Sequence, residues 1–452
     1  MLTAEPELAE MIMRAFLLRR TGFVRHSQAG VLVVGSPRNP DTHRIRQFLV
    51  RNYYPHRIFD INVEPTATQL LSHFSLTESD LPAVINSKDT VLKNPDTPLL
   101  AETLGLLAQI PKEHVYDVAV AGAGPAGLAA AVYAASEGLD TIVLDPLGPG
   151  GQAGTSSRIE NYLGFPNGIS GQDLAGRAEV QAEKFGAQFA VAREVVHAEQ
   201  NANGDFELTL CEGTRVLTRT VVVASGARYR KLNVPGYDRY EGKGVHYAAT
   251  AMEAQLCSND EIVLVGGGNS AGQAAVYLSG SGRVSRVHML VRSQNLAASM
   301  SSYLVERIQA SPNIVLHYDS EIIRLDGTEG LEQVQWLNRI RNEIITLPAR
   351  NLFVMIGAEP NTAWLKACMP LDPKGFVLTG RSADGHPLES PYNTTHPGIF
   401  AIGDVRAESV KRVAAAVGEG SVVVQWIHRC LNQKKEKDKK ISRSASGILK
   451  AS

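Results

Sequence analysis

Two glycine clusters hold the residues best suited to chemistry. The first is Gly122-x-Gly124-x-x-Gly127, with Pro125 and Ala126 inside it. Gly122 permits a tight turn, Gly124 lets backbone approach a diphosphate, and Gly127 lets a helix pack closely on a strand. The N–H groups and positive potential of that helix N-terminus suit phosphates. Asp145 follows Gly122 by 23 residues, near the spacing expected of an acid that holds a ribose hydroxyl. The second cluster is Gly266-x-Gly268-x-x-Ala271, with Asn269 and Ser270 between; alanine is tolerated at its third place. The strand after it ends at Arg292 with no acid to take a 2′-hydroxyl. An arginine there suits a 2′-phosphate and favours NADPH over NADH. The alternative is a degenerate second turn that holds no nucleotide.

Elements of the right kind surround both turns. "YDVAVAGAGPAGLAAAVYAASEGLDTIVLD" reads as strand, turn, helix, strand, and "EIVLVGGGNSAGQAAVYLSGSGRVSRVHMLVR" repeats the pattern. The expected class is α/β, with two nested Rossmann-like dinucleotide-binding domains. Before them, residues 1–29 form an N-terminal helical segment on the spacing of Leu8, Met11, Ile12 and Ala15. Residues 30–107 read as strand, helix, strand, helix, hairpin, helix, and a linker, "AQIPKEH", follows. Residues 433–452 read as a disordered basic tail.

The bulk composition excludes several classes. A content of 44% hydrophobic and 20% charged residues is that of an ordinary globular protein. The 45 Lys and Arg nearly balance the 46 Asp and Glu, so no field favours nucleic acid. No apolar run reaches membrane-spanning length, and the start has no signal-peptide pattern. Cys211, Cys257, Cys368 and Cys430 have neither CxxC nor zinc-like spacing, so no metal is expected and reduced, cytoplasmic thiols are.

Residues 30–107 resemble the glutaredoxin/thioredoxin fold by pattern, with Leu81-Pro82 where that fold usually has a cis-proline. The loop "SPRNPDTH", where the redox cysteine would sit, has none. Farther on, "GGQ…EN…GFP", "ASGA" and the terminal "GDV…AVGEGS" fall in order over roughly residues 115–432. This series resembles the low-molecular-weight thioredoxin reductases. The resemblance implies an FAD-binding domain over 115–231 and 358–432, an NAD(P)H-binding domain over 232–357, and a homodimer. It implies that Gly151, Gln152, Asn161, Ala224, Gly226 and Gly403 belong to the FAD site. Asp404 would bond the ribitol, and Lys411, Arg412 and Val413 would line the pyrimidine edge of the flavin. Arg412 there would favour the anionic reduced ring; alternatively Lys411 and Arg412 face solvent and only backbone touches it. Gly357 closes the NADPH side.

The same resemblance exposes a gap. The family passes electrons through a CxxC pair followed by an acid, but this chain reads Ala248-Ala249-Thr250-Ala251-Met252. Thiol exchange needs a thiolate. His246 and Tyr247 flank the vacated places as candidate proton donors, or as packing. Cys257, six residues past Ala251, is expected to be structural. The expectation is an FAD-dependent NADPH oxidoreductase that hands electrons straight to an acceptor of unknown kind. Oxygen, a quinone, an iron–sulfur protein and a small disulfide are the classes considered. A redox or nucleotide sensor and a true thioredoxin-disulfide reductase using Cys257 are the alternatives.

Overall fold

A computed structural model describes residues 30–448 except 37–38, 87–89, 157–158, 160–161, 242, 248, 250, 258, 329, 366–367 and 383. The helix expected within residues 1–29 lies outside the described residues. The chain forms two compact units. One takes in the described residues of Met1–Thr155, Ile169–Gly226 and Thr362–Ser452; the other takes in those of Ser156–Gly168 and Ala227–Asn361.

The first unit contains two sheets. The N-terminal sheet has the order His56–Phe59, Val31–Val34, Ala83–Ile85, Val91–Lys93. Its first pair is parallel, so the chain must cross over, and the helix Pro40–Arg51 makes that crossing. Asn39 caps this helix by accepting from the N–H groups of Asp41 and Thr42, and Pro40 pre-sets its first turn. Ile45, Phe48 and Leu49 are fully buried at helical spacing, which seats one face on the sheet. The remaining pairs are antiparallel, and the Leu81–Pro82 bond is cis.

The larger sheet runs Gln188–Val191, Thr141–Asp145, Val115–Ala121, Arg215–Val223, Phe206–Leu210, Val195–Gln200, with Ile399–Ala401 also parallel to Arg215–Val223. Its central strands are covered on both faces, so they read as continuous apolar runs. Six of the nine buried positions of the helix Pro125–Ser136 are alanine and one is glycine. Small residues let the C-terminal helix approach closely. A Cβ on Gly420 would lie 2.4 Å from the Ala126 carbonyl oxygen and 2.7 Å from the Ala129 methyl.

That C-terminal helix spans Val413–Ile448, so the tail expected to be unstructured continues it. Its Lys-, Glu- and Arg-rich sequence is polar enough to read as a solvated tail, yet those residues are also good helix formers.

The second unit has an all-parallel sheet in the order Val245–His246, Leu352–Val354, Glu261–Val265, Arg286–Leu290, Ile314–His317. A three-stranded antiparallel sheet, Ser320–Asp326, Gln333–Asn338 and Glu343–Pro348, is inserted between the strands Ile314–His317 and Leu352–Val354 and includes the buried Trp336. Among the described residues no helix is long and apolar enough to cross a membrane.

Candidate dinucleotide sites

The first glycine turn joins the strand Val115–Ala121 to the helix Pro125–Ser136. Gly122 has φ 113°, and a Cβ there would sit 2.4 Å from the Ala224 carbonyl oxygen. Only glycine satisfies both conditions. A Cβ on Gly127 would lie 1.9 Å from the Gly122 carbonyl oxygen, so this position serves helix–strand packing. Gly124 differs. Its nearest neighbour to a built Cβ is the Gly151 Cα at 3.9 Å, so the space over it is open. No side chain caps the helix at Gly124, and the first residue is Pro125. Ala126 is buried beneath the turn.

The segment after the next strand folds back onto this turn. Gly150 N–H donates to the Ala123 carbonyl at 2.8 Å. Gly151, at φ 53°, faces Gly124 so closely that a Cβ on it would be 2.9 Å from the Gly124 Cα. Gln152 is exposed at the end of this segment, and Asn161 lies outside the described residues. The result is a side-chain-free cradle at a helix N-terminus, which is what a diphosphate needs.

Asp145 is buried, and its carboxylate accepts from Ala123 N–H at 2.8 Å, Leu147 N–H at 2.9 Å and Gly148 N–H at 2.8 Å. Three of about four acceptor positions are thus filled by backbone. Asp145, read from its spacing as a ribose acid, also ties residues 145–148 to the glycine turn. Ala224 N–H donates to Ala121 O at 2.9 Å, and Gly226 has φ 68°.

At the other end of the unit, Gly403 has φ 72° and its N–H donates to Glu419 at 2.6 Å. Glu419 also receives Arg406 in a two-pronged pair, at 2.7 and 3.2 Å, and Arg406 reaches Thr379 at 3.1 Å. This half-buried clamp holds the backbone on both sides of Asp404, and no sequence motif announced Arg406. Burial raises the Asp404 carboxyl above its usual range; Lys411 opposes this and Glu419 adds to it. The Lys411 ammonium donates to the Asp404 carbonyl at 2.9 Å and lies 4.6 Å from the centre of the Phe376 ring. Burial lowers its pKa. Arg412 is exposed, and Val413 opens the last helix. The pair therefore divides, with Lys411 turned inward onto Asp404 and Arg412 outward.

In the second unit the turn after Glu261–Val265 repeats the design. A Cβ on Gly266 would be 2.4 Å from the Met355 carbonyl oxygen, and Ala271 is fully buried at the third place. Gly268 is open, with only the Ser299 carbonyl oxygen near, at 3.9 Å, and no side chain caps its helix. Asn269 accepts from Ser301 N–H at 2.8 Å, while Ser270 is exposed. Arg292 is exposed and, among the described residues, has no acidic partner. Gly357, at φ 92°, accepts from Arg230 N–H at 3.0 Å.

Residues 116–420 match the family described as pyridine nucleotide-disulphide oxidoreductase. The chain belongs to that family. NADPH-dependent thioredoxin reductase 3 of Arabidopsis thaliana is 33% identical over 326 residues, 71% of this chain. This chain spans 59% of that relative's length. A thioredoxin reductase of Ureaplasma parvum is 32% identical over 70% of this chain and 96% of its own. The crystal structure of thioredoxin reductase from Streptococcus pyogenes superposes with a TM-score of 0.62 at 29% identity, covering 71% of this chain and 99% of that one. The protein is thus an oxidoreductase of thioredoxin reductase-like fold, and FAD and NADPH are the cofactors of that family. FAD fits the first turn because Gly124 and Gly151 leave the diphosphate path free of side chains.

The side chains of His246, Tyr247 and Cys257 have protein partners of their own. Ala248 lies outside the described residues, and Ala251 begins the helix Ala251–Leu256. His246 shares a hydrogen bond with the Asn351 side chain at 2.9 Å and packs on the Phe353 ring. Burial lowers its pKa, with the Asn351 bond opposing. The Tyr247 hydroxyl donates to Glu241, its ring stacks on Tyr229 at 5.1 Å, and burial, reinforced by the Glu241 bond, raises its pKa. Cys257 is fully buried, donates to the Glu253 carbonyl at 3.3 Å, and has its pKa pushed up to about 11 by burial. A thiol so held is almost entirely protonated at neutral pH and is a poor nucleophile.

Proposed function

We propose that this protein takes electrons from NADPH and passes them from FAD directly to an acceptor, with no dithiol between. The observation that carries this reading is the chemistry of residues 246–257. Alanines stand at both thiol positions, methionine stands where the family has an acid, and the nearest thiol in sequence, Cys257, is fully buried with its pKa pushed up by that burial. FAD, when bound, supplies a two-electron store that accepts hydride from NADPH and gives both electrons onward. The chain's own part is binding and orientation. Gly122, Gly124 and Gly151 clear the diphosphate path, the Arg406–Glu419 clamp sets Asp404 towards the ribitol, and Arg292 takes the 2′-phosphate. Residues 30–107 are read as a thioredoxin-like domain without redox cysteines, and the assembly as a homodimer. Four free thiols suit a reducing, cytoplasmic compartment.

The test is anaerobic reduction with NADPH followed by oxygen, a quinone, an iron–sulfur protein, a small disulfide and thioredoxin in turn. At least one non-thioredoxin acceptor is expected to reoxidise the protein at a catalytic rate. Turnover with thioredoxin alone would overturn the reading, and slow reoxidation by every acceptor would replace it with the sensor.

A further inference from the structure

The first unit contains an unexplained cation. The segment that would wrap the FAD diphosphate, residues 115–156, contains no lysine or arginine. Two phosphate charges would therefore meet only backbone dipoles from their own segment.

The end of the helix Pro40–Arg51 closes on that segment. Asn52 donates from one side-chain nitrogen to Phe48 O and Leu147 O, each at 2.8 Å. The Tyr53 hydroxyl donates to Gln172 O, and Gln172 returns bonds to Val50 O and Arg51 O at 3.2 Å. A Cβ on Gly176 would lie 2.2 Å from the Tyr53 oxygen, which explains a glycine inside the helix Gly171–Lys184. Between these anchors, Arg51 donates to the Gly151 carbonyl at 2.9 Å. Gly151 is the residue packed against Gly124 across the cradle.

Arg51 is half-buried, and among the described residues no carboxylate pairs with it. Burial lowers its pKa while the Asp145 charge opposes through space; no salt bridge joins the two, and the Asp145 carboxylate accepts from three backbone N–H groups. A guanidinium has five donors, and the Gly151 bond uses one. A partly desolvated, unpaired guanidinium gains most from an anion of fixed geometry, and diphosphate is such an anion.

We infer that Arg51 belongs to the FAD site, supplying to the diphosphate the positive charge that residues 115–156 lack. The inference rests on the proposed FAD cradle but concerns a residue outside the family match, which begins at residue 116. It makes the N-terminal segment part of the cofactor site.

The full chain, freed of flavin, is titrated with FAD and with ADP by calorimetry. Arg51→Gln keeps a donor for the Gly151 carbonyl and so preserves docking while removing the charge. Its affinity for FAD and for ADP is expected to fall together by about ten- to a hundredfold, the range of a charge-assisted bond. Arg51→Lys is expected to retain most of both affinities, which a packing role would not predict. Unchanged FAD affinity in Arg51→Gln overturns the inference, as does a loss confined to FAD with ADP unaffected. Either result leaves the FAD reading standing, because that reading fails only if the wild-type chain binds no FAD.

Discussion

Gly124→Val is expected to give a folded, colourless protein. The wild type should carry the yellow of bound FAD, and the variant should lose absorbance near 450 nm and all NADPH-driven turnover. The backbone at Gly124 is extended, φ −72° and ψ 179°, a region valine favours. The nearest atom to a built Cβ is the Gly151 Cα, at an ordinary contact distance of 3.9 Å, so the first added carbon meets no clash. The isopropyl group instead fills the path of the diphosphate. Gly127→Val is the contrasting case, because its Cβ would overlap the Gly122 carbonyl at 1.9 Å and should destabilise the whole unit. Circular dichroism and thermal melting separate the two: loss of FAD with a near-normal apo melt at position 124, and loss of the fold at position 127. A yellow, active Gly124→Val protein would place FAD elsewhere.

Arg292→Ala should erase most of a preference for NADPH over NADH. A charge-assisted bond is worth about 1.5–3 kcal/mol, or about ten- to a hundredfold in affinity. Arg292 is exposed and has no acidic partner among the described residues, so its removal leaves no buried group unsatisfied. NADH affinity should hardly change. Rapid-mixing measurements of flavin reduction against each nucleotide read both quantities. Equal affinities for NADPH and NADH in the wild type would refute the assignment of Arg292.

The glycine turns were legible in the sequence because their constraints are local. Gly122 and Gly266 need conformations or contacts that a side chain forbids, and the strand–turn–helix context is continuous in the chain. Asp145 was legible as an important acid, whereas its three bonds to backbone N–H groups were not. A carboxylate accepts equally well from a ribose hydroxyl or from backbone N–H groups, and spacing does not distinguish them. Lys411 and Arg412 were read as a pair, whereas in the irregular segment before the last helix Lys411 turns onto the Asp404 carbonyl and Arg412 is exposed. Arg51 left no signal. Its bond to Gly151 spans 100 residues of sequence, and at the end of an amphipathic helix it reads as a surface cation stabilising the C-terminus. The Arg406–Glu419 clamp was hidden in the same way, although Glu419 sits inside the recognised "AVGEGS" segment.

The central claim is that electrons leave this protein from the flavin, with no thiol pair in series. Anaerobic titration with NADPH counts the electron stores directly. Full reduction is expected at about one NADPH per FAD, two electrons in all, because flavin is then the only redox centre. A chain with a working dithiol relay would take up about two NADPH per FAD, four electrons, with new thiols appearing as the second equivalent is consumed. The first stoichiometry is the result this account predicts; the second would contradict it.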